Sequence, residues 1–151
     1  MSGAKIVATS FGIGYIQKGA GTVAALFCCL LWYVMGTAAF PWWAQLLVIT
    51  GFFFIGAAAA SEVENDWGHD SNRVVIDEVQ GMLTALFLLP ADWQYVLAAF
   101  VLFRFFDIAK PLGIRRLESA KGGWGVMLDD LMAGIISNVI LHAVIISHLI
   151  T

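Results

Sequence analysis

The chain has 151 residues, of which 60% are hydrophobic and only 13% charged, with a net charge of -3. Soluble globular chains carry about 25% charged residues, so this composition predicts a single membrane-embedded domain over residues 1–151 and excludes an ordinary soluble core. The sequence contains no basic block, which argues against a nucleic-acid partner and against a polybasic lipid-binding tail.

At the start, Lys5 is not followed by an apolar core and a small-residue cleavage site before Gly12, so the N-terminus does not read as a removable signal peptide. Gly19-Ala20-Gly21-Thr22 opens the first long apolar run, with Thr22 placed to cap a helix. Backbone N–H groups of such a turn can cradle phosphate, and the same composition also serves as a plain linker. Cys28 and Cys29 are adjacent inside the run and read as helix filler, not as a disulfide or a metal site. Thr22 to Phe40 and Trp42 to Ala60 are each long enough to cross a hydrocarbon core about 30 Å thick. The tight Phe40-Pro41-Trp42 join predicts an antiparallel pair. Gly56 and Ala57 to Ala60 then offer a small-residue surface to another helix.

Ser61 to Asn72 reads as a polar loop holding Glu62, Glu64, Asp66, His69 and Asp70; His69 is either an acid–base residue or a solvated loop histidine. Two apolar arms follow, separated by Pro90-Ala91-Asp92. Proline in mid-run and aspartate as a ready cap predict two helices and a turn, a short helical hairpin over residues 74–108. With that hairpin all eight lysines and arginines fall on one face, the cytoplasmic one by the distribution of positive charge in membrane proteins. Trp42, Trp43, Trp93 and Tyr95 then form an interfacial belt at the opposite turns. A last span runs from about Leu131 to Ile150, and His142 and His148 receive no role. The expected architecture is an all-α polytopic bundle of about five membrane segments, N-terminus inside and C-terminus outside.

Charges interrupt this pattern at a few places. Arg104, Asp107 and Lys110 recur at steps of three in Phe103 to Pro111, so they share a broad helix face. They suit a metal-bound phosphate, with the acid on the cation and the bases on the anion; the alternative is an internal ion pair at a helix end. Asp77-Glu78 and Asp129-Asp130 lie at other apolar edges. A charge at the centre of a membrane helix costs about 2.5–3.5 kcal/mol, so these acids call for partners. Asp77, Asp107 and Asp130 come from three helices at one membrane face, and oxygen ligands without His or Cys favour Mg²⁺ over zinc. Glu78 and Asp129 are left as base or supporting carboxylates, and Arg104, Lys110 and Thr22 as phosphate-binding residues. Gly81 and Gly134 each follow an acid by four residues, leaving room for a neighbouring backbone or for substrate. Ser137 and Asn138 continue the Asp130 face and read as helix-bonding groups.

Val74 to Met82, Phe103 to Pro111 and Gly125 to Gly134, in this order and spacing, resemble the three signature blocks of the phosphatidylglycerophosphatase A family. The resemblance covers nearly the whole chain. It implies an inner-membrane, Mg²⁺-dependent phosphatase whose partner is a membrane phospholipid, converting phosphatidylglycerophosphate to phosphatidylglycerol, with Asp77, Glu78, Asp107, Asp129 and Asp130 catalytic. The sequence departs from the family pattern at Gly19-Ala20-Gly21-Thr22, which lacks a proline, at Lys110-Pro111-Leu112-Gly113, and in a shorter acidic loop with Glu62 near a usual aspartate. These departures bear on the head group more than on hydrolysis, and leave a phosphatase for another lipid or a small phosphomonoester as an alternative. A transporter using buried carboxylates is the alternative of a different class. It would carry them near the midplane in broken, repeated helices, and here they sit at one edge with no internal repeat.

Overall fold

The computed structural model describes residues 2–147, leaving out within that range Gln17, Asp70, Leu112 and the side chains of Arg115, Glu118 and Ser119. Asp70 and His148 therefore lie outside the described residues. The described chain is entirely helical: α1 (Gly3–Ala8), α2 (Ala20–Val34), α3 (Trp42–Trp67), α4 (Ile76–Ala85), α5 (Trp93–Ala109) and α6 (Gly123–Ile146), joined by short 3-10 turns. Helices α2, α4 and α6 start at the end of the bundle where the acids gather, and α3 and α5 finish there.

Four boundaries differ from the sequence reading. Gly36 takes a left-handed conformation (φ 62°) just past α2, so that helix stops at Val34 instead of reaching Phe40. Its 15 residues rise about 22 Å, short of a full hydrocarbon core. Gly19 (φ 75°), not Thr22, is its N-cap, which puts Thr22 inside the first turn. Helix α3 continues through the supposed loop to Trp67, because Ser61 returns a hydrogen bond to the Ala57 carbonyl (2.7 Å) and Gly68 closes the helix one turn after Glu64. Glu62, Glu64 and Asp66 are thus helical. Helix α6 begins at Gly123, so Asp129 and Asp130 lie in its second turn and not at its start.

The hairpin expected at residues 74–108 is present as α4 and α5. Asp92 caps α5 by accepting from the Gln94 N–H (3.2 Å), and Lys110 ends it in the left-handed region (φ 44°) immediately before Pro111. At the far end, carbonyls released by the short α4 are collected by α6: Asn138 Nδ2 donates to the Ala85 and Phe87 oxygens (3.1 and 2.8 Å), and His142 Nε2 lies 3.1 Å from Phe87 O. Buried Gln45 accepts from Leu88 N–H (3.1 Å) and donates to Phe40 O (2.9 Å), so one amide ties two turns together. Backbone groups inside a membrane need such internal partners, which gives His142 a structural role the sequence did not suggest.

Met82, Leu86, Phe103 and Ala133 are fully buried in the main core, and Met127 is fully buried in a second cluster with Ala57, Ala60 and Ile76. Outside it the surface stays apolar: Leu47, Val101, Phe105 and Val139 are each more than half exposed. Two of the described helices, α3 and α6, are long and apolar enough to cross a membrane by themselves. An apolar exterior of this extent belongs in a bilayer, and the chain is a membrane protein.

Candidate active site

Helices α4 and α6 run parallel and nearly touch. A Cβ built on Gly81 would fall 2.7 Å from Asp130 O and 2.5 Å from the Phe103 ring, and one on Gly134 would meet Gly81 O and, at 2.9 Å, Thr84 Cβ. Both glycines stand one turn beyond an aspartate, so the contact that joins the backbones also sets Asp77 beside Asp130. Asp77, Glu78 and Asp130 each offer a carboxylate oxygen, and those oxygens lie within 4.8 Å of one another. Asp77 and Asp130 are only 7% and 3% exposed. Gly21 of α2 closes over this group, since a Cβ there would collide with the Glu78 carboxylate.

Two ion pairs flank the cluster. Arg104 Nη1 holds Asp107 Oδ2 within α5, the i,i+3 pair that the spacing allowed. Lys110 Nζ meets Asp129 Oδ2 at 2.5 Å and ties the end of α5 to α6. Asp107 acts electrostatically on both Asp130 and Glu78, and Arg104 on Glu78, which places this pair against the cluster. Asp77 Oδ1 accepts from its neighbour's backbone N–H at Glu78, and Asp129 Oδ1 from that at Asp130, both at 3.0 Å.

Of the acids Asp77, Asp107 and Asp130 that the sequence reading brings together, Asp77 and Asp130 share one cluster with Glu78, and Asp107 stands beside it, paired with Arg104. Glu78 takes the third place, because adjacent residues at a helix start can both turn toward α6, while Asp107 is engaged by Arg104 on its own helix. Thr22 lies one residue beyond Gly21, at the same end of the bundle. His69 stands apart, its Nδ1 2.7 Å from Glu64 Oε1. Gly21 enters the sequence reading only as part of the Gly19-to-Thr22 turn, and Gln80 does not enter it. Gln80 follows Asp77 by three residues and so shares its face, a signal that was available.

Glu78 Oε2 and Asp130 Oδ2 are buried without a hydrogen-bond partner. Carboxylates packed this closely away from water are neutralised by a proton or by a cation, and an all-carboxylate donor set with unfilled oxygens fits a hard divalent ion. Asp77, Glu78 and Asp130 form an acidic cluster able to hold a metal ion.

The family model for phosphatidylglycerophosphatase A matches residues 6–145. The chain belongs to this family. A protein of Escherichia coli named phosphatidylglycerophosphatase A is 39% identical over 91% of this chain and 80% of its own length, and one of the same name from Haemophilus influenzae is 35% identical over 92% and 86%. A Bacteroides thetaiotaomicron protein provisionally named a phosphatidylinositol-3-phosphatase is 41% identical over 90% of this chain and 89% of its own. No solved structure matches the chain. Membership of the phosphatidylglycerophosphatase A family makes the chain a phosphatase.

Proposed function

We propose that this chain is a Mg²⁺-dependent phosphatase of the inner membrane that hydrolyses phosphatidylglycerophosphate to phosphatidylglycerol and inorganic phosphate. The observation that carries the reading is the buried Asp77, Glu78 and Asp130 cluster, flanked by two basic residues, on a bundle with an apolar exterior. Asp77, Glu78 and Asp130 would hold the ion, which supplies positive charge for the phosphoryl oxygens. Arg104 and Lys110 bind the phosphate, and Asp107 and Asp129 keep those two cations in place. Thr22, in the first turn of α2, borders the phosphate position. The P–O bond to the lipid breaks as a water oxygen adds to phosphorus, and the departing alkoxide gains a proton. Oxygens of Glu78 and Asp130 without hydrogen-bond partners are the acceptors left to ligate or to take the water's proton. Most of the rate enhancement then comes from positioning and charge neutralisation, as is usual in phosphoryl transfer.

Purified protein in detergent should release phosphate from phosphatidylglycerophosphate with Mg²⁺, lose that activity in excess EDTA and regain it when Mg²⁺ is restored. Full activity in EDTA rules out the metal. Soluble glycerol 3-phosphate should be turned over at least ~10-fold less well, a difference of about 1.4 kcal/mol in transition-state binding. The relative named for an inositol lipid favours a second reading of the head group, so phosphatidylinositol 3-phosphate belongs in the same assay. Faster turnover of that lipid would transfer the assignment to it.

The membrane arrangement in this reading is multi-pass, with about five segments, α2 and the α4–α5 hairpin crossing beside the two long helices. Short helices suffice where turns such as Phe87 to Leu89 have their backbone groups satisfied by neighbours. The acid end, where Lys5, Arg73, Lys110 and Lys121 also lie, faces the cytoplasm. Single cysteines replacing Ala91 and Lys121, with Cys28 and Cys29 changed to alanine, should label from opposite sides of the membrane; labelling from one side sinks the hairpin.

A further inference from the structure

Helices α3 and α6 meet closely at the acid end. There Gly56 faces Met127, Gly123 faces Ala57 and Ala60, and Ser61 Oγ accepts from Gly123 N–H at 2.8 Å. Further along, residues of α3 and α6 line the two sides of a groove, and α4, which ends at Ala85, contributes Gln80 and Thr84 between them. The groove has a volume of about 410 Å³, open along one side and walled by residues including Leu46, Ile49, Ile135 and Val139. Phe53, Phe54 and Trp124 pack edge to face at its acid end, with ring centres 5.5–6.0 Å apart.

The groove reaches the candidate active site. Leu131, in its wall, adjoins Asp130, and Gln80, in its floor, stands one turn beyond Asp77. Gln80 is fully buried; its Nε2 donates to Thr84 Oγ1 (3.1 Å), while its Oε1 has no partner. The groove therefore has a polar end beside the acids and an apolar length leading away from them. From Leu131 to Val139 it follows α6 for about 12 Å, more than half the run of a typical membrane leaflet's hydrocarbon.

We propose that this groove seats one acyl chain of the phospholipid substrate, with the head group at the acid cluster and Gln80 at the junction. The inference rests on the lipid-phosphatase reading above and adds where the tail goes. A polar end continuous with an apolar trough matches an amphiphile held by its phosphate. The exposed mouth residues Thr50 and Ile135 let the chain enter sideways from the bilayer, without the lipid leaving its leaflet.

The first test fills the groove. Thr50→Trp and Ile135→Trp should lower the ratio of kcat/KM on a dioleoyl substrate to that on its dihexanoyl counterpart by about tenfold, the low end of discrimination by an apolar pocket. Val101→Trp, lipid-facing on α5 and outside the groove, should keep the wild-type ratio. An unchanged ratio in both groove variants, or an equal fall in all three, overturns the proposal. The second test is independent of turnover. A benzophenone amino acid at position 135 in phosphatidylcholine nanodiscs should crosslink a tritiated phosphonate analogue of phosphatidic acid, and excess unlabelled analogue should compete it away. At position 101 crosslinking should follow the lipid fraction without saturating. Non-saturable crosslinking at 135, or crosslinking to a second protein chain in place of lipid, overturns the groove even if the protein proves to be an active phosphatase. Saturable crosslinking without phosphate release would leave the groove standing and remove the function.

Discussion

Asp130→Asn is expected to lower kcat/KM by about a thousandfold, the upper scale seen when one preorganised electrostatic group is removed from a transition state. The change keeps the shape of a side chain that is 3% exposed and removes the charge it shares with Asp77 and Glu78. Insertion and folding should survive, because in the absence of a cation the substitution relieves repulsion among packed carboxylates. Heating purified protein with and without Mg²⁺ provides an independent readout: a ligand that binds only the folded state raises its stability by mass action, so the wild-type gain in Tm should vanish in the variant. Asp77→Asn and Glu78→Gln should behave alike. Asp107→Asn should not, since Asp107 is paired with Arg104; its loss frees a cation beside the cluster and should cost about tenfold, near 1.4 kcal/mol. A severe Asp107 variant with a mild Glu78 variant would restore the ligand set expected from the sequence and displace the one drawn from the geometry.

That reversal would be informative because the two sets differ in the kind of signal that produced them. What was legible was local: Pro90 and Asp92 announced a turn and a cap, and steps of three put Arg104 within reach of Asp107. Helix lengths depart from the sequence reading where an apolar run and a helix do not coincide. Ser61, Glu62 and Glu64 are polar yet continue α3, while Gly36 ends α2 inside an apolar stretch. Contacts between helices were legible only as candidates. The four-residue spacing of Asp77 to Gly81 and Asp130 to Gly134 was visible, but one sequence cannot say that the two glycines oppose each other. Nor does spacing within α5 show that Lys110, just past its end, finds Asp129 on α6. The clustered acids are therefore legible singly and their arrangement is not, since the cost of placing charge in lipid marks residues one by one and packing alone decides which of them meet.

Gly81→Ala tests that packing and should cost far more than a methyl added where the bundle leaves open space. The new Cβ would fall 2.5 Å from a Phe103 ring carbon and 2.7 Å from the Asp130 carbonyl oxygen, and both neighbours are held in the buried centre. A backbone carbonyl cannot swing aside as a flexible side chain can, so α4 and α6 must separate. Overpacking of this kind costs about 1–3 kcal/mol, and any separation also moves Asp77 away from Asp130. The expected result is a lower Tm, loss of most phosphate release and loss of the Mg²⁺-dependent rise in Tm, all from a residue with no polar side chain. Gly51→Ala supplies the control, because a Cβ there meets nothing within 4 Å. Within helix α3 alanine should be neutral or stabilising by up to about 1 kcal/mol, with activity retained. If Gly81→Ala matches Gly51→Ala in both stability and turnover, the close approach of α4 and α6 at Gly81 does not hold the acids together.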